Sequence, residues 1–337
     1  MFLNQPTFTH HNQRGFTIVE LLIVIVVIGI LAGISIVAYS GIQNSAKFAS
    51  VQSDTNGAIK QIRSFAVINN DTYPTSVTSC PSPGSTELCL KGSQGNNIAY
   101  VVDNNTSPRS FCYSSSSSSG QAYYVDENGQ SLPGNCEMKS CYEIQQAGGS
   151  HGSGTYWIKP GSTVMRVYCD MQTSGGGWTL ILTNPGPYSA WDANKVLSVN
   201  ASQPSISTQY SILNLADSIK TNLNSKLNYR LDAVALGRWG GVWEAPYTNT
   251  FTGTSVVNNG TNIQKYDAAS WTIDITLDDT NALTNIMPYI SSTRLLTTWG
   301  GVGSWWGTIA TASSGFSPAP YMSSPQPNPG IIWYWVK

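Results

Sequence analysis

Residues 13–22 read QRGFTIVELL and place one carboxylate, Glu20, just beyond an Arg14-Gly15 step, at the mouth of a long uncharged run. A cut between Gly15 and Phe16 would leave the α-amine of Phe16 as a cation. Glu20 of a neighbouring subunit could neutralise that amine where water is scarce. Two opposite charges about 4 Å apart attract by several kcal/mol even at an effective dielectric near 20, so the pair would favour addition of subunits in register.

The other residues able to do chemistry are few. Cys80, Cys89, Cys112, Cys136, Cys141 and Cys169 are an even set with no CxxC pair, in a chain rich in Ser, Thr, Asn and Gly. That pattern favours disulfides in an oxidising compartment over a metal site. Six cysteines allow 15 pairings, and spacing alone does not choose among them; the pairing expected here is nearest neighbours, Cys80 with Cys89, Cys112 with Cys136, and Cys141 with Cys169. Of the three histidines, His10 and His11 precede Gly15 and would be lost with the cut. His151 stands in a Gly-Ser stretch with no cysteine or acid beside it in sequence. There is no GxSxG, phosphate loop or HExxH. No catalytic residue and no metal ligand is assigned, and the chain is read as a non-enzyme.

These residues need elements to position them, and composition divides the chain. Its 337 residues are long enough for two domains, and 41% apolar content can fill real cores. Only 10% of residues are charged, and 17 basic against 18 acidic residues leave a net charge of -1. Nucleic acid is not expected as a partner, because no basic field exists to displace counterions from phosphates. All 11 tryptophans lie at or after Trp157, so two differently built units meet near residue 138, where Pro133 and Gly134 end the first.

Residues 21–38, LLIVIVVIGILAGISIVA, carry no charge. As a helix they span about 27 Å at roughly 1.5 Å per residue, close to the hydrocarbon thickness of a bilayer. A cleaved secretory signal has a shorter apolar core. A plain membrane anchor gives Glu20 no purpose, since an acid in a membrane segment is unfavourable and marks a partner. A helix used first in the membrane and then in a protein assembly accounts for both.

Gly15-Phe16-Thr17-Ile18-Val19-Glu20 with the uncharged run resembles the class III signal and N-terminal helix of type IV pilins and pseudopilins. The resemblance implies a prepilin peptidase that cuts after Gly15 and methylates the amine of Phe16, with Glu20 as the assembly carboxylate. Many members carry a proline where Val37 stands. Without it, Gly29 and Gly33 are the remaining weak points of the helix, each costing about 1 kcal/mol relative to Ala.

Beyond the run, Ile42, Ala46, Ala49, Ala58, Ile59, Ile62, Phe65 and Ala66 approximate an apolar stripe at helical spacing, expected to pack on the protein's own head. Asn69-Asn70-Asp71 and Pro74 should end the helix. Residues 97–103, 109–114 and 121–126 read as strands, Asn128-Gly129 as a turn, and the serine run 114–119 as a flexible hairpin loop.

From Cys141 the chain reads CYEIQQAGGSHGSGTYWIKPGSTVMRVYCDMQTSGGGWTLIL, which resembles the N-terminal subdomain of fibrinogen-like domains. A Cys141–Cys169 bridge is expected to staple two strands of a small sheet, contributing on the order of 3 kcal/mol in a chain-entropy model. The glycines before Trp178 allow the turn that seats it. Better-known members carry a calcium loop, a second disulfide and a sugar or amine pocket in their last third. This chain departs there: no cysteine follows Cys169, and Asp278-Asp279 lacks an aspartate-rich context. Calcium stays compatible with the resemblance, yet no cofactor or pocket residue is carried over.

Trp299, Trp305, Trp306, Tyr321, Trp333, Tyr334 and Trp335 concentrate near the end among Gly, Ser and Pro. Most aromatic residues of this kind belong to a core. Trp299, Trp305, Trp306 and Tyr321 are retained as ligand-binding candidates, since aromatic faces stack on sugar rings or cationic groups.

The expected fold class is α+β: a long N-terminal pilin helix packed on a small antiparallel sheet, followed by a disulfide-containing fibrinogen-like α+β domain. The expected divisions are a leader at 1–15, an assembly helix at 16–70, a small head at 71–137 and the fibrinogen-like domain at 138–337. The expected function is that of a minor, tip-located pilin whose fibrinogen-like domain binds glycan or surface protein. The alternative is a structural pseudopilin-like subunit with no ligand of its own. Expected partners are other pilin subunits, the peptidase and the inner (cytoplasmic) membrane before assembly, with the extracellular pilus as destination.

Overall fold

A computed structural model describes residues 18–186, 191, 194–253, 260–267, 288, 290, 294–295, 298–299, 305–306, 309–310 and 331–337. The chain forms two compact units, 1–50 and 51–337. One helix, α1 (Ile18–Ile68), runs through the boundary and is 51 residues long.

Within the first unit α1 is apolar around its whole circumference from Leu21 to Ile36, Ser35 apart, and exposed, with Ile36 at 70%. By length and composition it can cross a membrane. It continues through Gly29 and Gly33 without a break, because a helical glycine lowers stability without removing a hydrogen bond.

In the second unit α1 becomes one-sided. Val51, Thr55, Ala58, Ile59, Ile62 and Ala66 are buried, at the spacing of neighbouring helical turns. This corrects the expected stripe, since Ile42, Ala46 and Ala49 are exposed and Phe65 is half-buried. Asn70 and Asp71 then adopt positive φ (53° and 60°), and the Asp71 amide donates to Ala66 O at 2.9 Å. Asn and Asp tolerate this left-handed conformation better than most side chains, which is why the helix stops there.

The head is an antiparallel sheet of β1 (Asn96–Asp103), β2 (Ser110–Ser117), β3 (Ala122–Asp126) and β4 (Leu132–Pro133), in that order. Ala58, Ile59 and Ile62 of α1 share a core with Phe111, Tyr113 and Val125. The serine run is a correction: Ser114 to Ser117 lie inside β2, and Ser114 and Ser115 are buried. Their hydroxyls find partners, Ser115 Oγ donating to Asp54 at 2.8 Å and Ser114 Oγ accepting from the Cys136 amide at 3.4 Å. A small polar side chain enters a sheet interior when its hydrogen bond is met there.

The globe opens with α2 (Cys141–Gln146), capped by Ser140, whose hydroxyl accepts from the Glu143 amide. Strands β5 (Gly154–Ile158), β6 (Met165–Asp170), β7 (Trp178–Asn184) and β8 (Tyr210–Ser211) follow, then the short α3 (Ala216–Ile219), β9 (Lys226–Ala233), β10 (Gly241–Pro246) and β11 (Thr261–Lys265). Two ribbons pair β12 (Arg294–Leu295) with β15 (Ile309–Ala310), and β13 (Thr298–Trp299) with β14 (Trp305–Trp306). The last strand, β16 (Ile332–Val336), inserts between β7 and β9 in the centre of an 8-stranded sheet ordered β11-β10-β9-β16-β7-β6-β5, with β8 on β7. All five residues of β16 are buried, so Trp333, Tyr334 and Trp335 are core. The turn before β7 uses three glycines at positive φ, and a Cβ on Gly176 would lie 2.2 Å from Met171 O.

Disulfides join Cys80 to Cys89, Cys112 to Cys136 and Cys141 to Cys169. The last corrects the expected staple between two strands: Cys141 is the first residue of α2, so the bond ties a helix to β6.

Candidate functional site

Gly15 and Phe16 lie outside the described residues. Glu20 stands in the first turn of α1, where a carboxylate complements the helix dipole, and its position is exposed.

In the head, Asp54 of α1 ties helix to sheet. Its carboxylate accepts from Ser93 N (3.0 Å), Ser93 Oγ (2.6 Å), Asn96 Nδ2 (2.7 Å) and Ser115 Oγ (2.8 Å). Burial pushes its pKa up, but these donors outweigh burial and hold it below the usual carboxylate value. At the end of the head an open polar groove of about 740 Å³ is lined by Asp71, Tyr73, residues 104–109 and Glu127.

Head and globe meet through a seam. Trp157 of β5 packs against Cys112, Tyr124, Leu132 and Cys136. Tyr124 Oη donates to Gly149 O at 2.7 Å, and Arg166 Nη2 stands 3.5 Å from Glu127 Oε1. Burial pushes the Glu127 carboxyl up. His151 stacks on Tyr156 (centroids 4.1 Å apart, 15° between planes) and brings Nε2 to 3.7 Å from Asp126 Oδ2. In sequence His151 has no acid nearby; only folding brings Asp126 to it. Gly149 allows the close approach, for a Cβ there would sit 2.3 Å from Pro133 O.

The globe holds a buried ionic cluster that sequence reading missed. Arg230 of β9 is fully buried, with its guanidinium carbon 4.4 Å from the Trp335 ring centre and 5.2 Å from that of Trp178. Its Nη2 donates to Asp170 at 2.7 Å, and its Nε donates to Asp232 at 3.0 Å. Asp170 also accepts the amides of Gln172 and Thr173 at 3.0 Å. Burial pushes Asp170 up, but Arg230 and those amides prevail and set it at about 2. Burial dominates at Asp232 and raises it to about 6 despite Arg230. Lys337 Nζ lies 4.8 Å from the Trp178 ring centre, and burial with the nearby Arg230 charge lowers it to about 8. A pairing signal existed, because Arg230 and Asp232 alternate on one face of a strand. The partner across the sheet, Asp170, had none.

Of the ligand candidates, Tyr321 lies outside the described residues. Trp299 and Trp305 are direct partners across the β13–β14 ribbon, and Thr298 faces Trp306. Among the described residues no group of three or more His, Cys, Asp or Glu could hold a metal ion, and all six cysteines are in disulfides.

Two family models match the chain, the prokaryotic N-terminal methylation motif at residues 10–36 and the C-terminal globular domain of fibrinogen beta and gamma chains at 137–188. Fibrinogen-like protein A of Apostichopus parvimensis is 49% identical over 45 residues, 12% of this chain; the match spans 16% of that protein's length. Similar solved structures include the fibrinogen-like globe domain of human ANGPTL6 (15% identity, TM-score 0.34, covering 59% of this chain and 95% of that one). Another is that of human ANGPTL2 (13%, TM-score 0.32, covering 59% and 98%). The chain thus carries a pilin-type N-terminus and a fibrinogen-like segment that opens the globe. The motif fits a membrane-anchored precursor destined for a pilus, with pilus subunits and a peptidase as partners in general terms.

Proposed function

We propose that this protein is a minor pilus subunit that carries its fibrinogen-like globe as an adhesin at the filament tip. The observation behind this reading is the division of labour along α1: the exposed apolar half bears the methylation motif, and the other half is built into the head that packs against the globe. Processing at Gly15–Phe16 and assembly through Glu20 belong to the first half. The globe of about 200 residues adds bulk that a packed shaft would have to carry on every subunit, which favours the tip.

Ligand recognition is assigned to the β13–β14 ribbon with Trp299 and Trp305, with glycan or surface protein as the class of ligand. The test is binding of the purified full chain, in detergent, to acetylated and neutral glycans and to whole cells, with calcium and then with chelator. Saturable binding that falls at least tenfold in Trp299→Ala/Trp305→Ala supports the reading. No binding under either condition, together with lost pilus assembly on deletion, would favour the purely structural subunit. For the assembly carboxylate, Glu20→Ala should leave processing intact and reduce incorporation into pili; normal incorporation would remove Glu20 from that role.

A further inference from the structure

Two disulfides flank the head–globe boundary, and their cysteines are buried in the cores on either side. Cys112 lies on β2 and bonds Cys136; Cys141 bonds Cys169 on β6. Between Cys136 and Cys141 only residues 137–140 intervene, and they are fastened as well. Lys159 N donates to Met138 O at 2.7 Å, Lys159 Nζ to Glu137 Oε1 at 2.7 Å, and Lys139 Nζ to Lys220 O at 2.7 Å. A short covalent track therefore joins the large sheet to the small one. It bypasses 24 residues of sequence separation on the head side and 28 on the globe side.

The track does not end at β2. Ser115, on the same strand as Cys112, donates to Asp54 of α1 at 2.8 Å, and Ser93 and Asn96 bond the same carboxylate. A single charged side chain on the helix thus gathers three separate points of the head. Asp54 lies past the fully exposed part of α1, on the stretch that packs into the head core.

We propose that this junction has a mechanical function: tension on the globe passes from β6 through Cys169–Cys141, residues 137–140 and Cys136–Cys112 to β2, and from Ser115 through Asp54 into α1. The chain between Cys112 and Cys136 and between Cys141 and Cys169 is relieved of load, so the β3–β4 hairpin and the α2–β5 segment stay folded while the globe is pulled. The inference rests on the adhesin reading, since only a globe held by a ligand is pulled away from its filament.

Single-molecule pulling on the full chain in detergent tests it, with click handles introduced at Ile42 on α1 and Ile263 on β11, both exposed. No ligand takes part, so failure here and failure of the adhesin reading are separable. In the oxidised protein the head should hold while the globe opens. In Cys112→Ser/Cys136→Ser an extra extension of about 80 Å, from the 24-residue separation at roughly 3.3–3.6 Å each, should precede opening of the globe. Ser115→Ala keeps both disulfides and should lower the force at which α1 leaves the sheet. The covalent track is refuted if the extra extension follows globe opening, for then the non-covalent seam carries the load. An unchanged force in Ser115→Ala removes the Ser115–Asp54 link from the path.

Discussion

Head and globe each hold a carboxylate away from bulk water, and they do so by opposite means. Asp54 in the head is half-buried and ringed by hydroxyl, amide and backbone donors, all neutral. Asp170 and Asp232 in the globe are buried against one arginine lodged between two indoles. The neutral ring can lose a member and admit water in its place. The ionic cluster has no such fallback, because removing one charge leaves the others uncompensated in a medium that solvates them poorly. The head can therefore tolerate substitution at its polar centre, while the globe depends on its cluster being complete.

The largest effect is expected in the globe. Arg230→Met should cost about 3–5 kcal/mol, as breaking a buried pair does, and lower the calorimetric melting temperature of the globe or abolish it. A loss below about 1 kcal/mol would mean that the two carboxylates are neutral or hydrated, and the contrast with the head would collapse.

Next comes the seam between them. Gly149→Ala forces a Cβ to within 2.3 Å of Pro133 O, and overpacking of this kind costs about 1–3 kcal/mol. Hydrogen exchange should rise around residues 122–135 and 149–157 together. Exchange confined to one side would show that head and globe do not depend on each other there.

Asp54→Asn is expected to cost less, about 1–2 kcal/mol, because the amide keeps acceptor capacity but loses the charge-assisted part of four bonds. Urea unfolding followed by hydrogen exchange in the head strands at residues 96–126 would measure it; a cost equal to that of Arg230→Met would erase the distinction drawn above.

The smallest and sharpest test is pH. Asp170, held near 2 when folded against a usual 3.8, contributes stability present above pH 3.8 and lost as pH falls toward 2. Asp232, raised to about 6, acts in the other direction: its folded form binds the proton more tightly, so stability falls as pH rises from about 4 to 6. In Asp232→Asn the decline between pH 4 and 6 should flatten in thermal melts. Asp54, held low, should show only loss on the acid side.

Much of the architecture is legible in the residues. Uncharged length marks α1, the Asn69-Asn70-Asp71 cluster marks its end, and short runs of aromatic and β-branched residues mark β1, β2 and β3, because these features act over a few residues. The serine run misleads because composition alone cannot say whether a hydroxyl faces solvent or a buried acceptor; Asp54, 61 residues before Ser115, decides that. The expected two-strand staple fails for a related reason. Ser140 caps α2 and starts a helix at Cys141, where the neighbouring sequence alone suggests a strand.

By itself the sequence determined the N-terminal helix with its methylation motif and the place of Glu20 in it, the even set of cysteines, and the fibrinogen-like opening of the globe. Each of these depends on residue type at short spacing. Only the tertiary structure decided that β16 lies in the middle of the large sheet, that Arg230 gathers Asp170 and Asp232, that His151 meets Asp126, and that two disulfides bracket the junction in series with Asp54. These pairings join residues far apart in the chain, and their energy comes from burial and from partners that no local pattern specifies.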